Sequence, residues 1–117
     1  MKRTPQVPAP LVSLLLVNWN GGEVLPRCLD SLAAQTFLDF EIILVDNGST
    51  DGSVESAKAR WPGMEVFRQG ENTGFAAANN LGARHARGRW LALLNTDAFP
   101  APDWLATLLH AAHEHPE

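Results

Sequence analysis

Four short apolar runs, each followed by polar residues, divide the chain into regular units. The runs lie at residues 11–17, 40–45, 64–68 and 90–94. The first run shows no helical spacing and is apolar on both faces, which is typical of a central strand covered by helices above and below a parallel sheet. The pattern therefore predicts four strands, of which the third is short and the second runs into a loop rich in turn-forming residues.

Apolar residues at helical spacing separate these strands. Leu25, Cys28, Leu29 and Leu32 recur at i, i+3, i+4 and i+7, which predicts a helix of about three turns with Cys28 as a small core residue. Three further helices are predicted, the second of the chain by Val54, Ala57 and Trp61. The third helix is predicted at residues 75–87, with a small face of Ala78, Gly82 and Ala86 and with Gly88 as the C′ residue that ends it. The fourth helix is predicted by the helical spacing of Trp104, Leu105, Leu108, Leu109 and Ala112.

Strict alternation of strands and helices with short connections predicts an α/β fold. We expect a Rossmann-like parallel sheet with helices on both faces and right-handed crossovers. Residues 1–10 contain three prolines and are interpreted as a flexible leader, whereas residues 11–117 form one α/β domain. The apolar run at residues 11–17 is too short to span a bilayer.

Composition narrows the function only slightly. The 117 residues are 45% hydrophobic and 19% charged, as in ordinary globular domains, and the net charge of −4 argues against a nucleic-acid partner. Cys28 is the single cysteine, so no internal disulfide can form and a reducing compartment fits best.

Polar side chains follow three of the four predicted strands. Asn18 and Asn20 follow the first, Asp46 and Asp51 the second, and the pair Asn95 and Asp97 the fourth. Any one of these loops is explained by turn formation or helix capping. Because ligands of open α/β sheets bind beyond the carboxyl ends of the strands, convergence of all three loops on one edge favours a binding site.

The missing motifs limit the ligand. The sequence has neither a P-loop nor a G-x-G-x-x-G turn after the first strand, which argues against a P-loop NTPase and against a cofactor-binding oxidoreductase. Carboxylates with few fixed cations would repel a bare phosphate, but Asp97 can hold a divalent metal that binds a diphosphate. Asp46 can accept a hydrogen bond from the ring N–H of a base.

Four ordered blocks carry a resemblance to a known family. They are Val12–Asn20, Val45–Ser53 with the sequence VDNGSTDGS, Glu71–Asn80 with the sequence ENTGFAAANN, and Leu93–Asp97 with the sequence LLNTD. In this order and spacing they resemble family-2 glycosyltransferases, and the second block is the most specific. The resemblance implies the N-terminal half of a GT-A fold that binds a nucleotide-diphosphate sugar.

The resemblance also implies roles for individual residues. Asp46 matches the aspartate that binds uracil or thymine, and Asp97 matches the last aspartate of the Asp-x-Asp motif, a ligand of Mn²⁺ or Mg²⁺. Asn95 replaces the first aspartate of that motif, as in the rhamnosyltransferase-like branch that uses deoxythymidine-diphosphate sugars. Asn79 stands where many members have an arginine. The residues expected to bind the nucleotide sugar are Asn18, Asn20, Asp46, Asn47, Asp51, Asn79 and Asn95.

The same resemblance implies an inverting transfer to a glycan or glycolipid acceptor. The catalytic base is expected in a C-terminal half beyond Glu117, so no catalytic residue is assigned and the 117-residue chain is expected to be a truncated domain with little activity of its own. A nucleotide-binding or interaction module without transfer activity is the alternative. The family's common setting predicts a cytoplasmic location, peripheral at the inner membrane face.

Two further expectations concern the second half of the chain. An uncovered apolar edge at Trp90–Leu94 would pair with other chains, so we expect a dimer or an aggregate. His110, His113 and His115 resemble a metal-binding group only superficially, and we interpret them as residues at the C-terminal end of a helix.

Overall fold

The computed structural model describes residues 9–114 and contains four strands and four helices in strict alternation. Most of the predicted leader, residues 1–8, lies outside the described residues, as does His115. The elements are β1 (Val12–Asn18), α1 (Val24–Ala33), β2 (Phe40–Asp46), α2 (Ser53–Arg60), β3 (Glu65–Arg68), α3 (Phe75–His85), β4 (Trp90–Asn95) and α4 (Trp104–Glu114). Within residues 9–114, no helix is long and apolar enough to cross a membrane.

The strands form one parallel sheet in the order β3-β2-β1-β4, which confirms the predicted α/β class. The chain order reverses between β1 and β4, and a crevice at such a reversal is where open α/β sheets bind ligands. In register, Asn18 at the end of β1 lies beside Asp46 at the end of β2, and Val17 lies beside Asn95 at the end of β4. The three predicted polar strand ends are therefore neighbours.

Helices cover both faces of the sheet, as the sequence predicts. On one face, Leu14 and Leu16 of β1 pack into a core with the predicted stripe of α1, and Leu105 of α4 joins the same core. On the other face, Leu15 and its β2 neighbours pack against Ala78 of α3. The alternation of β1 leucines between two cores explains why this strand is apolar at nearly every position.

The end of α3 corrects one prediction. The helix ends at His85 rather than at residue 87, and Gly88 is not a left-handed C′ residue. Instead, Gly88 lies against β1, where an added Cβ would come within 2.6 Å of the Ser13 backbone nitrogen, and its N–H donates a 2.8 Å hydrogen bond to the Ser13 hydroxyl. Glycine is required here by the close approach of two backbone segments, and not by a helix terminus.

Candidate functional site

Asp46 is the most buried carboxylate at the carboxyl edge of the sheet, with 1% of its surface exposed. Its Oδ1 accepts hydrogen bonds from Asn18 Nδ2 at 2.9 Å and from Ser49 Oγ at 2.6 Å. Its Oδ2 accepts one from the Ser49 backbone N–H at 2.9 Å. A carboxylate oxygen accepts about two hydrogen bonds, so Oδ2 keeps one acceptor position for a ligand.

Asn18 lies beneath this site and is fully buried. Besides Asp46, its Nδ2 donates to Ser53 Oγ at 2.9 Å, and its Oδ1 accepts from the Gly21 backbone N–H at 3.2 Å. An added Cβ at Gly21 would meet that same Oδ1. The side chain predicted to line the pocket is therefore placed to orient Asp46 and the turn after β1.

Asp51 joins the loops that follow β1 and β2. Its Oδ2 accepts from the Gly22 backbone N–H at 2.9 Å, and its Oδ1 accepts from the hydroxyl and the backbone N–H of Ser53 at the start of α2. The hydrogen bonds from Ser53 hold the pKa of Asp51 below its usual value. The exposed carboxylate is thus an anion that connects backbone segments 29 residues apart.

Asn47 performs the corresponding role on the other side of β2. Only 2% of Asn47 is exposed; its Nδ2 donates to Asn72 Oδ1 at 3.0 Å, and its Oδ1 accepts from the Thr73 backbone N–H at 3.1 Å and from Gln69 Nε2 at 3.1 Å. These contacts hold the loop between β3 and α3 against the end of β2. Asn47 is therefore a structural neighbour of the site, with its amide occupied by protein groups.

A polar pocket of about 340 Å³ opens beside Asp46. It is lined by Asp46, Gly48, Ser49, Thr50, Arg68, Gln69 and Gly70. Arg68, Gln69 and Gly70 are not among the site residues predicted from the sequence. The rule that identified the other loops also applies to these residues, because they lie at the carboxyl end of β3. Arg68 is held by Glu55, whose Oε2 lies 2.8 Å from Arg68 Nη1.

A second polar pocket of about 420 Å³ opens at the reversal point between β1 and β4. It is lined by Val17, Asn20, Gly21, Val24, Asn95, Thr96 and Asp97. The lining includes a carboxylate and no lysine or arginine. Val24 is also the first residue of α1, so the N-terminus of that helix, with its partial positive charge, lies beside the pocket.

The donor groups of the second pocket fit a divalent cation that shares its coordination with a ligand. Asp97 supplies a carboxylate, while Asn20, Asn95 and Thr96 supply neutral oxygens. Mg²⁺ is commonly held by one or two carboxylates together with substrate phosphates and water. Within residues 9–114, no three side chains of histidine, cysteine, aspartate or glutamate lie together in a way that could hold a metal ion.

The segment that carries Asp97 packs against α1. Arg27 of α1 lies over the Phe99 ring, 4.5 Å from its centroid. Cys28, one residue further along the helix, is fully buried, as predicted for a core residue. Burial, with a smaller contribution from the charge of Asp97, raises the pKa of the Cys28 thiol to about 11, so the thiol is neutral near pH 7.

Two of the predicted site residues differ in their placement. Asn20 lines the second pocket and its backbone has a positive φ of 50°. Asn79 lies on α3 with its side chain partly exposed, and among the described residues it is not part of the lining of either polar pocket. The structure thus brings six of the seven predicted binding residues to the carboxyl edge of the sheet. Three of them line a pocket (Asn20, Asp46 and Asn95), Asp51 is exposed, and Asn18 and Asn47 are buried.

Comparison with known proteins identifies a family. Residues 13–117 match the family described as Glycosyl transferase family 2. A PGL/p-HBAD biosynthesis glycosyltransferase from Mycobacterium tuberculosis is 37% identical over 111 residues, which cover 92% of this chain and 43% of that protein. Glycosyltransferase AglE from Haloferax volcanii is 34% identical over 101 residues, which cover 82% of this chain and 33% of that protein. The chain therefore spans less than half the length of these relatives.

Solved structures show the same fold. The mannosyltransferase PcManGT from Pyrobaculum calidifontis, in complex with GDP-Man and Mn²⁺, superposes with a TM-score of 0.79 at 27% identity, over 90% of this chain and 33% of that chain. TarS 1-349 from S. aureus, in complex with UDP-GlcNAc, superposes with a TM-score of 0.81 at 23% identity, over 89% of this chain and 31% of that chain. The parallel sheet and its helices match those of GT-A glycosyltransferases.

Proposed function

Because the chain belongs to glycosyl transferase family 2, we propose that it forms the donor-binding part of a glycosyltransferase that uses a nucleoside diphosphate sugar. The observation that supports this proposal best is the pair of polar pockets at the carboxyl edge of the sheet, one built around Asp46 and the other around Asp97. A ligand with a base at one end and a charged diphosphate next to it matches this arrangement.

The pocket beside Asp46 is proposed to hold the base. The remaining acceptor position on Asp46 Oδ2 suits a single ring N–H, such as N3–H of uracil or thymine. Arg68 lies at the same pocket, and its guanidinium has N–H donors besides the Nη1 group that Glu55 binds. A pyrimidine presents a ring N–H between two carbonyl oxygens, which matches one acceptor with donors nearby.

The pocket around Asp97 is proposed to hold the diphosphate together with Mn²⁺ or Mg²⁺. The N-terminus of α1 favours an anion there, but the lining has no cationic side chain, so a divalent cation would neutralise the remaining charge. When bound, the cation supplies electrostatic stabilisation of the departing nucleoside diphosphate. PcManGT offers a precedent within the fold, since its structure contains GDP-Man and Mn²⁺.

For the donor itself, we propose dTDP-rhamnose or a UDP-sugar. The sequence Asn95-Thr96-Asp97 supports the rhamnosyltransferase-like branch, because Asn95 can hydrogen-bond a sugar hydroxyl without adding negative charge beside Asp97. TarS, crystallised with UDP-GlcNAc, supports a uridine nucleotide. The acceptor is proposed to be a glycan or a glycolipid.

The transfer step is proposed to invert the anomeric centre. Inversion requires a base beside the acceptor hydroxyl. The two carboxylates that line the pockets, Asp46 and Asp97, are both assigned to the donor. We therefore propose that the base lies outside these two pockets. A nucleotide-binding module without transfer activity is the alternative function.

Calorimetric titration of the 117-residue chain tests the proposal. We expect dTDP or UDP to bind at least about tenfold more tightly with Mn²⁺ than with EDTA, because the cation neutralises charge in a pocket without lysine or arginine. GDP serves as the matched control and should bind more weakly, since guanine presents two adjacent N–H donors to the single remaining acceptor position of Asp46. Absence of binding by dTDP, UDP and GDP with either Mn²⁺ or Mg²⁺ would falsify the proposal. Hydrolysis of the nucleotide sugar by the protein would distinguish an enzyme from a binding module.

We also propose that β4 pairs with a second copy of the chain. Within residues 9–114, β4 pairs with β1 on one side and with no strand on the other. Leu91 and Leu93 lie on the same face of the sheet as α3, at a part of that face that α3 does not cover, and each is about half exposed. The strand WLALLN lacks the charged residues and prolines that protect edges. An antiparallel pairing that sets Leu93 opposite Leu93 of the other copy also sets Leu91 opposite Asn95 of that copy, so the contact carries no charged residue of the strand.

The expected consequence is a dimer that a single charge disrupts. Light scattering over a concentration series should show a dimer for the natural sequence and a monomer for Leu93→Lys, because a lysine opposite its own copy repels it. Thr107→Lys, on the exposed surface of α4, adds the same charge elsewhere and should remain dimeric. A natural chain that stays monomeric at its solubility limit contradicts the proposal.

A further inference from the structure

We propose that Asn20 is a positioning residue that couples the two pockets of the site, so that a ligand in one pocket strengthens binding in the other. This inference rests on the proposed function, because it concerns the same donor site. Asn20 lines the pocket around Asp97 and is not part of the lining of the pocket beside Asp46. Its hydrogen bonds nevertheless reach residues that line the pocket beside Asp46.

Two hydrogen bonds join Asn20 to the loop after β2. The Asn20 backbone N–H donates to Ser49 Oγ at 2.8 Å, and Asn20 Oδ1 accepts from the Thr50 backbone N–H at 2.9 Å. Ser49 and Thr50 both line the pocket beside Asp46. One residue on the wall of the pocket around Asp97 therefore binds two consecutive residues on the wall of the pocket beside Asp46.

Ser49 extends the connection to Asp46. A hydroxyl has one donor and two acceptor positions. Ser49 Oγ accepts from the Asn20 backbone N–H at 2.8 Å and donates to Asp46 Oδ1 at 2.6 Å. The same hydroxyl thus contacts residue 20 and the carboxylate, so the direction of the hydrogen bond to Asp46 depends on where residue 20 places its N–H. A shift of the loop after β1 changes the orientation of the carboxylate that is proposed to read the base.

The backbone of Asn20 supports a role beyond turn formation. Its φ of 50° lies in the left-handed region, which costs free energy for residues with a Cβ and is tolerated best by asparagine and glycine. The hydrogen bonds to Ser49 and Thr50 hold it there, and a third bond, from Gly22 N–H to Asp51, fixes the next residues of the same loop. The loops after β1 and β2 are therefore expected to move as one unit.

The substitution Asn20→Gly removes the side-chain acceptor while keeping a residue that adopts the left-handed conformation without strain. The probes are uridine, which has a base and no phosphate, and pyrophosphate with Mn²⁺, which has no base. In the natural chain we expect Mn²⁺-pyrophosphate to raise the affinity for uridine about fivefold or more, a usual size for coupling between sites. Asn20→Gly keeps the backbone N–H donor to Ser49 and loses the acceptor for the Thr50 N–H, so this factor should fall, although the residue does not line the pocket beside Asp46.

Asn20→Asp is the comparison variant: its carboxylate keeps an acceptor for the Thr50 N–H and should retain the coupling factor, while its added charge changes the separate affinity for Mn²⁺-pyrophosphate. A residue that only supports the fold would change the stability and both separate affinities, but not the factor by which one ligand affects the other. A natural chain that binds UDP or dTDP with Mn²⁺ and shows no coupling, or a coupling that Asn20→Gly retains, overturns this inference alone. A natural chain that binds neither nucleotide overturns both the inference and the proposed function.

Discussion

Replacing Asp97 by asparagine is expected to abolish metal-dependent binding of a nucleoside diphosphate. Asp97 supplies the only carboxylate in the lining of the pocket at the reversal point of the sheet, and the substitution removes its charge while preserving its size. Loss of a residue that merely supports a metal ligand weakens metal binding about 10- to 100-fold, so loss of the ligand itself should cost more than about 100-fold. Calorimetric titration of UDP or dTDP with Mn²⁺ measures the effect.

Two comparisons make this result specific. Asp103→Asn removes one negative charge from an exposed position outside both pockets and should leave the affinity unchanged. Uridine alone should bind Asp97→Asn as it binds the natural chain, because its base is assigned to the other pocket. If Asp97→Asn retained the natural affinity for the nucleotide with Mn²⁺, Asp97 would not be the metal ligand, and the assignment of this pocket to the diphosphate would fail with it.

The fold is predictable from this sequence because its determining patterns are local. The branched run of β1 and the leucine stripe of α1 each specify an element and its buried face within a few residues. Once four strands alternate with helices, parallel pairing and right-handed crossovers leave few arrangements. The carboxyl ends of the strands then meet at one edge, which predicts the position of the site.

The role of each asparagine at that edge is not predictable in the same way. Asn18 and Asn20 are two residues apart and have the same side chain, but Asn18 is fully buried beneath Asp46 whereas Asn20 is exposed on a pocket wall. The difference arises from the sheet register, which places Asn18 beside Asp46, 28 residues away along the chain. A contact of this kind depends on the packed structure and leaves no periodic signal in the sequence.

Gly88 shows the same limitation for a glycine. A local rule assigns glycine after a helix to the left-handed C′ position. The actual constraint is the approach of Ser13, which is 75 residues away and whose hydroxyl accepts a hydrogen bond from the Gly88 N–H. The residues after β3 illustrate the opposite case, because Arg68 to Gly70 follow a strand end just as the identified loops do, and the rule that identified those loops applies to them as well.

Asp46→Asn is expected to weaken binding of the base and to destabilise the fold. Asp46 accepts hydrogen bonds from Asn18 and from the hydroxyl and the backbone N–H of Ser49. In asparagine, an NH2 group replaces one of the two carboxylate oxygens, so its N–H groups would face the donors of Asn18 or Ser49. A hydrogen bond to a charged group contributes about 1.5–3 kcal/mol. We therefore expect the free energy of unfolding to fall by about 2–3 kcal/mol, and the affinity for uridine to fall about tenfold or more. Asp39→Asn, at an exposed position outside both pockets, is the matched control.

Changing the ligand instead of the protein separates base reading from damage to the fold. N3-methyluridine lacks the ring N–H that Asp46 Oδ2 is proposed to accept, so the natural chain should prefer uridine over its N3-methyl form by about tenfold or more. In Asp46→Asn this preference should largely disappear, while binding of Mn²⁺-pyrophosphate at the pocket around Asp97 should persist. Equal affinity of the natural chain for the two nucleosides would show that Asp46 holds the loop after β2 without reading the base. A preference that Asp46→Asn retains would assign the reading of the ring N–H to another acceptor of the same pocket.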